Sequence, residues 1–187
     1  MRAIVHFLFV IVAFISLSAE AAASYRSELR KATKTGRLYS VDNFEAKLIW
    51  DATFVTDHYR RARAKEHIRL LKLSPLEAAR YFAEEETKQQ EETEVIVSLY
   101  SRKDYEHFSS DAETFWHIVL ETDEGQKLSP LEVAEFPVSP YQKKLYPHVN
   151  RWSNVYRVIF PKGQMNEKVK IMLWSVVGES TLQWRHP

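Results

Sequence analysis

The residues best suited to binding a partner lie in one segment near the end of the chain, where aromatic rings alternate with cations. Aromatic faces beside Lys and Arg can hold a sugar, an anionic polymer or a partner strand by stacking and charge-assisted hydrogen bonds. The segment has neither helical nor strand periodicity, so we interpret it as a long connection between strands, and such connections often carry function. The predicted binding residues are Tyr141, Lys143, Lys144, Tyr146, His148, Arg151 and Trp152.

A structural role is the alternative for this segment. Leu145, Tyr146 and Trp152 would then plug the open end of a sheet, because buried aromatic side chains are ordinary core material. The cations between them would stay in solvent. The sequence leaves both interpretations open.

Catalytic motifs are absent from the sequence, which has no nucleophile elbow, phosphate-binding loop, dinucleotide fingerprint or H-E-x-x-H zinc helix. A chain with no cysteine also has no thiol chemistry. For a hydrolase that uses carboxylates, the candidates are Asp51, Asp57 and the pair Asp104 and Glu106, which burial and mutual repulsion could activate. The absence of these motifs favours a protein without catalytic residues and without a cofactor.

The densest group of possible metal ligands comprises Asp104, Glu106, His107 and Asp111. Zinc needs about four ligands that converge on one point, whereas neighbouring residues of a turn or strand diverge. The acidic run from Glu84 to Glu94 lacks the loop that folds oxygens around calcium. We therefore expect no metal, and we interpret the acidic run as a solvated helix face.

The first 24 residues have the order of a secretory signal peptide. Arg2 precedes an apolar run from Ala3 to Leu17, and the small-residue site Ala19-Glu20-Ala21 follows. An uncleaved membrane anchor would need about 20 apolar residues, and this run is shorter. We interpret residues 1–21 as a cleaved signal peptide, with cleavage after residue 23 as the alternative.

Composition indicates the compartment to which the chain is exported. It has 187 residues, of which 45% are hydrophobic, only four are glycine and none is cysteine. Small proteins of oxidising compartments commonly depend on disulfides, so a bacterial periplasm or exterior fits better than a eukaryotic secretory route. We expect no stable membrane insertion after processing.

Charge is balanced over the chain but arranged in blocks. Residues 22–83 hold 13 Lys and Arg against 7 Asp and Glu, residues 84–135 hold 4 against 15, and residues 136–187 hold 8 against 2. Such asymmetry can mark contact with nucleic acid, but an exported protein meets little of it. We expect the blocks to neutralise each other in the fold, and the partner to be an envelope protein or an anionic polymer.

Periodicity predicts an α+β protein in which N-terminal helices precede an antiparallel β-sheet or an immunoglobulin-like sandwich. Residues 22–92 are predicted to be a helical segment and residues 93–187 a β-rich domain, the two forming one unit. Period-two alternation predicts strands from Glu94 to Tyr100, Thr114 to Glu121, Asn154 to Phe160 and Lys168 to Trp174.

Two helices are predicted in the N-terminal half. Ser74-Pro75-Leu76-Glu77 has the cap and proline of a helix start. The other predicted helix begins at Asp42 and presents Phe44, Leu48, Ala52 and further residues at helical spacing. The same stretch also alternates with period two, as a strand would, and we favour helix because the helical pattern is longer.

We therefore expect an exported bacterial envelope protein that acts as a non-enzymatic binding module. A carboxylate-based hydrolase is one alternative. A carrier of apolar ligands, with its pocket between helices and sheet, is the other.

Export can be tested directly on the secreted or periplasmic protein. We expect its intact mass to lack residues 1–21 or 1–23, because the A-x-A site lies at that point. Retention of the apolar run in the exported protein would contradict this prediction.

Overall fold

A computed structural model describes six ranges of the chain: residues 25–41, 44–101, 108–111, 113–149, 151–163 and 168–185. Within these ranges the chain forms helices and two antiparallel sheets. The predicted α+β class and the sandwich-like arrangement are both confirmed. The predicted signal peptide lies outside the described residues.

Four helices are described: α1 over residues 25–32, α2 over Asp57–Leu71, α3 over Pro75–Glu91 and α4 over Pro140–Leu145. The described strands are β1 Thr33–Tyr39, β2 Ala46–Phe54, β3 Glu92–Ser101, β4 His117–Thr122, β5 Lys127–Leu128, β6 Glu132–Glu135, β7 Asn154–Pro161, β8 Lys168–Ser175 and β9 Gly178–Arg185. Sheet 1 has the order β1-β2-β3-β7-β6, and sheet 2 has the order β5-β4-β8-β9.

The main core lies between the two sheets. Alternation is the reason that it forms, because every second residue of a strand points to the same side. The four predicted strands all contribute their predicted apolar faces to this core. The contributing residues include Val95, Val97, Leu99, Ile118, Leu120, Tyr156, Val158, Phe160, Val169, Ile171 and Leu173.

A second core lies between the helices and the other face of sheet 1. Tyr25 and Leu29 of α1 pack there with Tyr59 of α2. Ile96 and Val155 of sheet 1 supply the opposing surface. The chain thus forms three layers: the helices, sheet 1 and sheet 2.

Helix starts follow local capping rules. Thr56 caps α2 by accepting a hydrogen bond from the Tyr59 amide. Ser74 and Glu77 form the predicted capping box of α3. Ser139 and Gln142 form a second capping box at α4, which shows that part of the predicted loop is a short helix.

The helix predicted from Asp42 is wrong, because residues 46–54 form strand β2. Leu48, Trp50 and Ala52 point into the core between the sheets, as the rejected period-two alternation implies. Phe44 is 83% exposed. The helical spacing arose because β2 is followed after two residues by α2, whose apolar positions extend the pattern by chance.

The description of residues 22–92 as helical also needs correction. That stretch holds β1 and β2 as well as α2 and α3. Strand β2 pairs with β3 over seven residues, from Leu48 opposite Ser101 to Phe54 opposite Val95. The N-terminal and C-terminal parts of the chain therefore share sheet 1.

None of the described helices combines the length and the apolarity that crossing a bilayer requires.

Substitution of Gly36 in β1 tests how closely the two sheets are packed. A Cβ atom at this position would lie 2.1 Å from the Trp50 indole nitrogen and 2.7 Å from the Ser180 hydroxyl. That indole donates a hydrogen bond of 3.0 Å to Ser180 of sheet 2. We expect Gly36→Ala to lower the free energy of unfolding in urea by about 1–3 kcal/mol, as overpacking does.

Gly125 supplies the control for this substitution. It has a φ of +80° but open space around the Cβ position, so Gly125→Ala introduces backbone strain without a collision. We expect its cost to be about 1 kcal/mol. A Gly36→Ala variant as stable as the wild type would contradict the close packing of Trp50.

Candidate functional site

Four charged side chains meet in the layer between the helices and sheet 1, and we call them the ionic cluster: Arg60, Arg63, Glu85 and Glu94. All four are buried. Each arginine pairs with both carboxylates, so the four groups form a closed set of ion pairs.

Arg63 makes the shortest contacts in the cluster. Its two terminal nitrogens donate to the two Glu94 oxygens at 3.3 and 2.9 Å, and Nη2 also donates to Glu85 at 2.9 Å. Arg60 reaches both carboxylates at 3.2 Å. The bidentate geometry fixes the angle of the guanidinium as well as its position.

Three elements bring these groups together. Arg60 and Arg63 are three residues apart on α2 and therefore lie on the same side of the helix. Glu85 comes from α3, which returns along α2 after a short turn. Glu94 lies in β3 and alternates with Val95, so it points towards the helices while Val95 points into the main core.

Further cations surround the two carboxylates. Lys88 lies 3.2 Å from Glu85, and Arg157 of β7 lies 3.4 Å from Glu94. Arg157 also binds Glu92 at 2.7 Å. The cluster therefore ties α2 and α3 to two adjacent strands of sheet 1.

The electrostatics keep both buried carboxylates ionised. Burial alone would raise the pKa of Glu94, but Arg63, Arg60 and Arg157 outweigh it and hold the pKa at about 2. Burial likewise opposes ionisation of Glu85, and Arg63, Arg60 and Lys88 lower its pKa. Neither carboxyl holds a proton near neutral pH, so neither can serve there as a general acid.

A ring of aromatic side chains borders the cluster and a cavity of about 290 Å³. His67 of α2 stacks on Tyr81 of α3, with ring centres 4.1 Å apart and an angle of 4° between the planes. Tyr141 of α4 meets the His67 ring edge-on and is hydrogen-bonded to Nδ1. Burial lowers the pKa of His67 and raises the pKa of Tyr141 to about 12.

The predicted binding residues fall into three environments. Tyr141 and Tyr146 belong to the interface between α4 and the other helices. The Tyr146 hydroxyl accepts a hydrogen bond of 3.1 Å from Arg63, and Leu145 is buried beside it. Leu145 and Tyr146 are buried, as the structural alternative expected, but they pack in the second core between the helices and sheet 1.

His148 meets the Tyr146 ring edge-on, with ring centres 6.2 Å apart, and reaches the polar part of sheet 1. Its Nε2 is 3.5 Å from the Thr53 hydroxyl. Burial lowers the pKa of His148, and nearby Asp51 opposes that shift. Asp51 itself accepts a hydrogen bond of 2.5 Å from Thr35. The binding candidate His148 and the catalytic candidate Asp51 are thus neighbours.

The third environment is exposed, and we call it the basic-aromatic surface: Lys143, Lys144, Arg151 and Trp152. The Arg151 guanidinium lies 4.4 Å from the centre of the Trp152 ring, in cation–π contact. Trp152 is 68% exposed. Lys143 and Arg151 line an open groove of about 370 Å³, to which Glu135 contributes one carboxylate.

The structural alternative, in which Trp152 plugs the open end of the sheet, is therefore wrong for this residue. Its indole lies against Arg151 at the surface rather than in a core. Leu145 and Tyr146, at the end of α4, are the residues of this segment that are buried in the second core.

Of the hydrolase candidates in the described ranges, Asp57 lines a cavity of about 250 Å³ together with Glu92, and Arg60 lies in the same lining. Asp57 is exposed in the first turn of α2. Asp104, Glu106 and His107 lie outside the described residues, and Asp111 hydrogen-bonds with Ser109. No group of three possible metal ligands converges anywhere in the described part of the chain.

Neither a protein-family model nor a curated protein nor a solved structure matches the chain.

Sequence reasoning missed the ionic cluster. Glu85 and Glu94 belong to the acidic run that predicted a solvated face, yet both are buried. One signal was present: Glu94 begins a strand whose alternate residues are apolar, next to a helix with Arg60 and Arg63 at adjacent positions of one face. The pairing itself depends on how α3 and β3 return to α2.

The cluster predicts a loss of stability in acid. Because the folded pKa of Glu94 is about 2, below its ordinary value of 4.5, ionised Glu94 stabilises the fold above about pH 4.5. This contribution falls as the pH drops from 4.5 towards 2, by roughly 3 kcal/mol in total. We expect Glu94→Gln to flatten the pH dependence of unfolding over this range.

Glu86→Gln on the exposed side of α3 is the matched control, and its pH profile should run parallel to that of the wild type. At neutral pH, Glu94→Gln should also cost about 3–5 kcal/mol, because buried arginines lose their partner. A Glu94→Gln protein with the acid sensitivity of the wild type would refute this role for the cluster.

Proposed function

We propose that this chain is an exported protein of the bacterial envelope that binds an anionic partner through the basic-aromatic surface. One observation carries the proposal: Trp152 is 68% exposed, with the Arg151 guanidinium stacked on its ring. A large exposed aromatic beside cations is typical of binding surfaces, where Trp and Arg contribute most of the affinity.

The charges on this surface support an anionic partner. Within the described ranges, Lys143, Lys144 and Arg151 form no ion pair with a carboxylate, whereas Lys88, Arg157 and Lys170 do. Cations without an internal partner remain available for charge-assisted hydrogen bonds to carboxylates, sulfates or phosphates.

The surface stands on a rigid support. Leu145 and Tyr146 follow the two lysines directly and are buried against the helices. On the other side of the loop, Val155 of β7 is buried in the same core. A surface held from both ends loses little conformational entropy when a partner binds, which favours affinity.

The two alternatives find less support. A carboxylate hydrolase needs an acid that keeps its proton, and the buried carboxylates Glu85 and Glu94 have lowered pKa values. A carrier needs a deep apolar pocket between the helices and the sheet. The cavity at that position is lined by Arg63, Glu85, Glu94 and other polar groups.

Export remains part of the proposal because of the sequence before Tyr25. The basic, apolar and small-residue regions are in the order of a signal peptide. The absence of cysteine fits a bacterial envelope.

Binding can be tested with two defined polyanions, poly-glutamate and dextran sulfate. We expect the triple variant Lys143→Ala, Lys144→Ala and Arg151→Ala to bind about tenfold more weakly, with a smaller dependence on salt. Trp152→Ala should weaken binding as well. Neither variant should change the free energy of unfolding by more than about 1 kcal/mol, because all four side chains are exposed.

The matched control removes three exposed cations on the other helices: Arg26→Ala, Arg30→Ala and Lys65→Ala. It changes the net charge equally and should bind both polyanions as the wild type does. A wild-type protein that binds neither polyanion, or a control that loses as much affinity as the test variant, would contradict the proposed surface.

A further inference from the structure

The outer face of sheet 2 is covered by no described helix. The described helices pack on sheet 1, and α1 also meets the β9 edge of sheet 2, where Trp184 donates a hydrogen bond to Ala32 and Arg185 lines a cavity with Glu28. Yet Trp174 in the middle strand of sheet 2 is 41% exposed and stacks on His117, with ring centres 4.3 Å apart. Met172 and Val119 extend this apolar area and line an open groove of about 500 Å³.

Charge divides the same face into two ends. At one end, Trp174 of β8 is paired with Glu179 of β9. At the other end, Lys168 of β8 is paired with Arg185 of β9. Glu179, Lys168 and Arg185 are all exposed, and none of them forms an ion pair in the described ranges.

The acidic and basic ends cannot neutralise each other within one molecule. Glu179 and Arg185 are six residues apart on the same strand, which corresponds to about 20 Å. Both nevertheless point outwards, because Leu182 and Trp184 point into the core. A partner that satisfies both ends must present basic and acidic groups in the reverse order.

We propose that this face binds a second copy of the chain in a two-fold symmetric dimer. In such a dimer the strands of the two outer faces run antiparallel, with β9 over β9. Glu179 of each copy then faces Arg185 of the other, and Trp174 faces Lys168 in a cation–π arrangement. The charges at the two ends of the face are complementary under this rotation, whereas Lys170 and Glu121 between the ends already form an ion pair of 2.7 Å within each copy.

The size of the face sets the strength of the dimer. Three strands of six to eight residues, with strands about 4.8 Å apart and residues about 3.3 Å apart, present roughly 400 Å². Two such faces bury roughly 800 Å², which is below the about 1,000 Å² of a stable specific interface and within the range of weak, transient ones. The dimer is therefore a weak one.

Sedimentation velocity on the purified chain, from about 1 µM to about 1 mM, tests this dimer. We expect a monomer–dimer equilibrium in which Glu179→Arg and Arg185→Glu each raise the dissociation constant about tenfold or more, because each places like charges opposite one another. The double variant Glu179→Arg/Arg185→Glu should return to within about threefold of the wild type. Trp174→Ala should also weaken the dimer, although it changes no charge.

Glu86→Arg on α3 is the control, because it makes the same change of charge away from the face, and it should leave the dissociation constant unchanged. Circular dichroism of each variant establishes that it is folded. A folded chain that stays monomeric up to about 1 mM overturns the proposal, including the case in which the face binds a different molecule. The proposal is equally overturned if neither charge reversal changes the dissociation constant, or if the double variant does not restore it.

Discussion

Two buried carboxylates shared by the same two guanidinium groups hold the helices on sheet 1. Removing four charges from water costs several kcal/mol for each ion, so the ionic cluster is no simple source of stability. Its effect is conditional: Arg60 and Arg63 of α2 are compensated only if α3 supplies Glu85 and β3 supplies Glu94. Helices that docked in any other register would leave buried charges without partners, at a cost of about 3–5 kcal/mol.

The same cluster supports the surface that we propose for binding. Arg63 donates to Tyr146 at the end of α4, and Lys143 and Lys144 lie within the preceding turn. The buried guanidinium of Arg63 thus helps to fix the position of the exposed cations Lys143 and Lys144. The outer face of sheet 2 lies on the far side of the main core, so a dimer formed there would leave both basic-aromatic surfaces accessible. Two linked surfaces would bind a repeating polyanion more tightly than one.

Sequence patterns predicted the fold class and four strands correctly, because the main core lies between two sheets and imposes period two on both inner faces. They failed at β2, where strand and helix patterns overlapped. Helix α4 was missed although Ser139 and Gln142 repeat the start signal of α3, because six residues show no period. The predicted binding residues included both the buried aromatic residues and the exposed cations, but the sequence did not distinguish these two groups. The ionic cluster depends on contacts between elements distant in sequence, which periodicity does not contain.

Native-state hydrogen exchange tests most directly whether the ionic cluster joins the helices to sheet 1. In the wild-type protein, the slowest amides of α2 and α3 should open with the same free energy as those of β3 and β7, because the layers unfold together. In Arg63→Met, with Glu94 left partly unpaired, the helix amides should open at a lower free energy than the sheet amides. Helices that exchange independently of sheet 1 in the wild type, or layers that remain coupled in Arg63→Met, would contradict this account.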